Sequence, residues 1–195
     1  MENEEKLLTG EESLKIITDM INKTKINIRQ SSFHLLFWGW LLFFCSLSEY
    51  LLYKFTDYAT PWYIWFFVIP GIIVSMAWGF YKGRKESVFT YATRIYVLTW
   101  LAFLISGTML FILLGNQVQL ISPLILSLAA MPTFISGTII KFRPLILGAV
   151  SFWLFALLAK FGGPDLSALA VPAAMLTGYL IPGYILRNRN GNDTV

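Results

Sequence analysis

Six apolar runs dominate the chain, at residues 33–53, 62–81, 95–114, 120–140, 145–161 and 166–186. Each is close to the ~20 residues that a helix needs to cross roughly 30 Å of hydrocarbon at about 1.5 Å per residue. A chain of 195 residues that is 56% hydrophobic and only 13% charged cannot enclose its apolar surface in one soluble core. A transmembrane barrel would show segments of about ten residues with alternating polarity instead of unbroken blocks. The pattern predicts an all-α integral membrane protein. A six-transmembrane-helix bundle is expected over residues 32–187, after a polar segment at 1–31 and before a short tail at 188–195.

The cations give this bundle a direction, because Lys and Arg near helix ends favour the cytoplasmic side. Lys6, Lys15, Lys23, Lys25 and Arg29 precede the first run, and Lys82, Arg84, Lys85 and Arg94 separate the second from the third. Lys141 and Arg143 follow the fourth, and Arg187 and Arg189 follow the sixth. Of 15 lysines and arginines, only Lys54 and Lys160 fall on the other side. Both termini are therefore expected in the cytoplasm, and the net charge of +4 reads as a topology signal and not as a nucleic-acid patch. The first thirty residues lack the basic start and small-residue cleavage site of a secretory signal, so the first helix is expected to stay as an anchor.

Residues 1–31 carry their own helical pattern. Thr9 with Glu12 three positions later forms a capping-box signature. Leu14, Ile17, Met20, Ile21, Thr24 and Ile28 fall on one face at about 100° per residue, while Glu11, Lys15, Asp19, Lys23 and Arg29 fall outside it. Such an amphipathic helix can lie on the inner leaflet, with its cations near anionic headgroups. Alternatively its apolar stripe (Leu14, Ile17, Met20, Ile21, Ile28) docks a cytoplasmic protein or a second copy of the chain.

Within the apolar runs, the odd-numbered ones repeat a Trp-containing motif at Trp40, Trp100 and Trp153. The even-numbered ones carry small residues every fourth position: Gly71, Ser75 and Gly79; Ala129, Thr133 and Gly137; Ala170, Ala174 and Gly178. A proline sits near each set, at Pro70, Pro132 and Pro172, so three repeated helical hairpins are a possible plan. Small residues on one face let helix backbones approach closely where lipid gives no hydrophobic drive. The alternative is a small transporter or channel, with a path between the Gly/Pro-containing even-numbered helices lined by hydroxyls at Ser106, Thr108, Ser127, Thr133, Ser136, Thr138 and Thr177. Those hydroxyls can equally bond their own helices.

Polar groups inside the runs are few. Glu49 lies about 24 Å along the helix from Phe33, towards the outer boundary, where pairing with Lys54 or Lys160 is the cheapest fate for a carboxylate. His34 lies at the inner end of the same helix, about 22 Å from Glu49, and the two cannot form a catalytic pair. The single cysteine, Cys45, excludes an internal disulfide and reads as a small buried hydrophobe. No nucleophile, base and charge stabiliser converge in the sequence, and no phosphate loop or metal motif occurs, so neither an enzyme nor a cofactor is expected.

The segments "ESLKIITDMINKTK", "FWGW", "SGTIIKFRPLILG" and "YLIPGYIL" resemble those of a group of small six-helix membrane proteins of gut anaerobic bacteria. The resemblance covers most of the chain and implies architecture, a bacterial inner-membrane location and, from winged-helix regulators encoded nearby, a regulatory role. The expected partners are the lipid bilayer and either a cytoplasmic protein or a second copy. The function expected is a non-enzymatic interaction or regulatory module docked through the N-terminal helix.

Overall fold

The computed structural model describes residues 10–56, 61–83, 91–115 and 117–189, with side chains for 32–56, 61–79, 81, 94–115, 117, 119–188. Among the described residues every regular element is helical and none is a strand. The α-helices are α1 (Gly10–Phe55), α2 (Val68–Gly83), α3 (Tyr91–Leu114), α4 (Ile121–Ile139), α5 (Arg143–Phe161), α6 (Gly163–Met175) and α7 (Ile181–Arg189). A 3₁₀ segment, Pro61–Phe67, leads into α2, and a π-helical turn, Leu176–Leu180, joins α6 to α7.

Six stretches are long and apolar enough to cross a membrane: Ser32–Phe55, Pro61–Gly79, Arg94–Leu114, Ile121–Ile139, Arg143–Phe161 and Gly163–Asn188. They coincide with the six runs of the sequence to within a few residues. The N-terminal segment is not a separate element, because α1 continues without a backbone break from Gly10 into the first apolar stretch. At about 1.5 Å per residue its 46 residues measure roughly 69 Å.

The stretches pack in the order second, first, sixth, fifth, fourth, third: α2 rests on α1, α1 on α6 and α7, α6 on α5, α5 on α4, and α4 on α3. A three-hairpin repeat would also need the second and third stretches to meet, and no comparable packing joins them among the described residues. The core lies in the middle of that order, among the sixth, fifth and fourth stretches. Leu126 and Ala130 of α4, Phe152 and Ala156 of α5, Ala174 and Met175 of α6, and Tyr179 enclose one another. Leu42 and Phe43 of α1 and Trp100 and Phe103 of α3 close it from outside. The second and third stretches bury little of their own surface, and their long side chains point outward.

Two local devices set these contacts. Residues 140–142 reverse the chain between α4 and α5 in a tight connection suited to antiparallel neighbours. The Phe142 N–H bonds Gly137 O and the Lys141 N–H bonds Thr138 O, with Lys141 at φ 55°, which is a Schellman termination. Phe142 then buries against Leu145 and Leu186, and Pro144 sits in the first turn of α5, where a missing amide costs nothing. The second device is the π-turn: Ile181 N–H bonds Leu176 O, five residues back. Pro182 has no amide, and its ring would press on the carbonyl of Gly178 four residues earlier. The wider turn accommodates that proline inside a continuous helix.

Candidate functional site

The side chains of the proposed docking stripe, Leu14, Ile17, Met20, Ile21 and Ile28, lie outside the described residues, as do Thr9 and residues 190–195. What the structure gives for that segment is its backbone: helix from Gly10 onward, collinear in hydrogen bonding with the first apolar stretch.

Glu49 does not pair with Lys54 or Lys160. Its Oε2 accepts the indole N–H of Trp65 at 2.7 Å, a hydrogen bond strengthened by the carboxylate charge. Cys45, one turn earlier and buried, points its Sγ at the Ile64 carbonyl at 3.8 Å. Both contacts fasten the 3₁₀ segment to α1, so the acid is a clasp for the start of the second stretch. Lys54 instead meets Asp165 at 3.2 Å and donates to the Tyr50 hydroxyl at 2.9 Å, joining the end of α1 to the start of α6. The sequence reading missed this because Trp65 looks like any boundary tryptophan, and only the tertiary packing brings its N–H to the acid. His34 is half-buried and edge-on to Phe33, whose ring stacks on Trp78 at 4.8 Å. Among the described residues no three His, Cys, Asp or Glu side chains gather where a metal ion could sit.

The small-residue stripes part company. Gly71 takes the flank of Leu41 on α1, Ser75 accepts the Trp38 indole at 3.3 Å, and Gly79 has open space around it. On α4, Pro132 and Thr133 are buried, and a Cβ at Gly137 would stand 2.8 Å from Ile146 of α5. On the sixth stretch Ala174 is fully buried, and Gly178 lies under the Phe152 ring with its carbonyl against Gly148 of α5. Stripe two therefore faces α1, whereas stripes four and six both pack on α5, and the three do not line one common path. Most of the hydroxyls expected to line such a path bond their own helices: Thr108 to Leu104, Thr133 to Ala129, Ser136 to Pro132, Thr138 to Phe134 and Thr177 to Ala173.

Two cavities lie elsewhere. Ser106 and Ser127 line an open, mainly apolar groove of about 410 Å³ between α3 and α4. A small, partly enclosed cavity of about 10 Å³ lies near the basic ends of α3 and α4, bounded by Leu35, Tyr96, Trp100, Thr133, Ser136, Ile140 and Leu145. Around it runs a chain of polar contacts: Trp100 N–H to Ser136 Oγ at 3.2 Å, and Tyr179 to Thr133 at 3.2 Å. Tyr96 and Tyr179 were not singled out from sequence, and Trp100 only as part of a repeated motif, although a phenol or indole inside an apolar helix signals a required partner. Comparison with protein-family models, curated proteins and solved structures finds no match.

Proposed function

We propose that the chain is a six-span plasma-membrane protein with both termini cytoplasmic, and that it acts as a non-enzymatic interaction or regulatory module. Its N-terminal helix docks a cytoplasmic protein or a second copy of the chain. The observation that carries this reading is the length and continuity of α1, Gly10–Phe55. About 20 residues suffice to cross the hydrocarbon. The 22 residues before Ser32 therefore extend the first span as a rod of roughly 33 Å on the cytoplasmic side. A rod continuous with a span transmits a contact made at its tip into the bundle, which a helix lying on the leaflet would not do.

The bundle supports the same reading from the other side. Its small cavity of about 10 Å³ has room for no more than a water. On the fourth and sixth stretches, where the alternative reading put a transport path, the small residues Gly137 and Gly178 are occupied with packing. The cations at the basic ends, Arg94, Arg143 and Arg187, favour the orientation stated.

The test is gentle extraction of the full chain beside a variant with Leu14→Ser, Ile17→Ser and Ile21→Ser, with co-purifying proteins and oligomeric state compared. The expected result is a protein partner, or a dimer, present with the parent and lost with the variant. Identical partners and oligomeric state for both would remove the docking reading, and flux above empty vesicles in proteoliposomes would replace it with transport.

A further inference from the structure

The small cavity among α1, α3, α4 and α5 has an unbalanced hydrogen-bond account. Thr133 gives its hydroxyl hydrogen to the Ala129 carbonyl at 2.8 Å and Ser136 gives its own to Pro132 at 2.6 Å. Thr133 then accepts from Tyr179, and Ser136 accepts from the Trp100 indole. A hydroxyl oxygen has two lone pairs, so each of these side chains keeps one acceptor free. Tyr96, half-buried as a residue, lines the same cavity, with its hydroxyl surrounded by protein and the Trp100 indole beside the oxygen. The hydrogen of that hydroxyl has no protein acceptor among the described residues. Buried phenols are ordinarily paired.

We propose that this cavity binds one water molecule, which accepts from the Tyr96 hydroxyl and donates to Ser136 and Thr133. Three properties of the site match that ligand. The volume of about 10 Å³ is what one water needs and too small for anything larger. One donor and two acceptors complement the one lone pair and two hydrogens a water offers in making three bonds, the usual number for a buried water. The groups are neutral hydroxyls, so no charge is present to favour an ion. The bound water joins Tyr96 of α3 to Thr133 and, through it, to Tyr179 of the sixth stretch. It thus adds a second polar tie between α3 and the core, beside the Trp100–Ser136 hydrogen bond.

The experiment is a double-mutant cycle on the full chain, reading the thermal unfolding midpoint of Tyr96→Phe, Thr133→Val and the pair. Tyr96→Phe removes only the oxygen that would hold the water. The expected result is a midpoint lowered by about 2–4 °C for Tyr96→Phe, and a pair that loses clearly less than the two single losses combined, although the two side chains are not bonded to each other. Ser136→Ala replaces Thr133→Val if the latter does not fold. A Tyr96→Phe midpoint at or above the parent's would mean that a dry, unpaired donor had been removed. That result, or additive losses, overturns the proposal.

Discussion

A Cβ placed on Gly148 of α5 would stand 2.8 Å from the carbonyl oxygen and 2.9 Å from the Cα of Gly178. Carbon atoms in contact settle at about 3.5–4.0 Å, so Gly148→Ala requires the two backbones to separate by roughly 0.6–1 Å. The obstructing atoms are main chain inside the π-turn, which no rotamer change can move aside. Overpacking of this kind costs about 1–3 kcal/mol, and the wider gap forfeits part of the dispersion between α5 and the sixth stretch. Against this, alanine is favoured over glycine in a helix by about 0.8–1.0 kcal/mol. Taking the upper cost for an immovable obstacle leaves a net loss near 2 kcal/mol, or a midpoint lowered by roughly 4–8 °C for a chain of this size. Gly79 is the internal control, because a Cβ there meets nothing within 4 Å. Gly79→Ala is expected to raise the midpoint by about 2–4 °C through propensity alone. Both are read by thermal unfolding of the purified protein in detergent. Gly148→Ala as stable as Gly79→Ala would show that the Gly148–Gly178 approach does not constrain the bundle.

Trp65→Phe keeps the ring but strips Glu49 of its donor, and is expected to lose about 1.5–3 kcal/mol. Glu49→Gln retains an acceptor and should lose about half as much; equal losses would mean that the hydrogen bond is not what holds the 3₁₀ segment. Lys54→Met breaks an ion pair whose partners are 42% and 72% exposed; the unfolding midpoint should barely move in low or high salt, and a clear loss in low salt that high salt abolishes would show that the pair matters. Lys141→Gly relieves a left-handed residue and should gain about 1 kcal/mol, while Lys141→Val at the same site should lose stability. For orientation, single cysteines at 141 and 187 should react with an impermeant thiol reagent only from the cytoplasmic side, and those at 54 and 160 only from outside. Cys45 is buried and should stay silent in the folded protein, so labelling from the opposite faces would invert the topology.

The Glu49 clasp marks where local reading stops. Depth along the helix places the acid towards one end, which is a matter of counting residues. Its partner depends on which helix lies alongside. Lys54 is only five residues away in the chain, yet it turns to Asp165, 111 residues on, and the indole of Trp65 takes the carboxylate. The tight turn at 140–142 was legible as a short connection in "KFRPLILG". That Phe142 buries at the base of the bundle was not, since nothing local distinguishes it from the exposed Phe161 at the far end of α5.

Six helical stretches, their lengths and their common basic side were written in the sequence, because helix rise, hydrocarbon thickness and the charge at helix ends act on each segment separately. The neighbours were decided only by the tertiary structure. Outward-facing and inward-facing surfaces of a lipid-embedded helix are equally apolar, so hydrophobic periodicity, which tells a soluble helix which face to bury, is silent here. Three similar stripes of small residues thus came to three different ends. Gly178 brings two backbones together, Gly137 admits Ile146, and Gly79 faces open space. The same holds for hydrogen bonds: each buried hydroxyl and indole must find a partner, but which one it finds is fixed only when the helices meet.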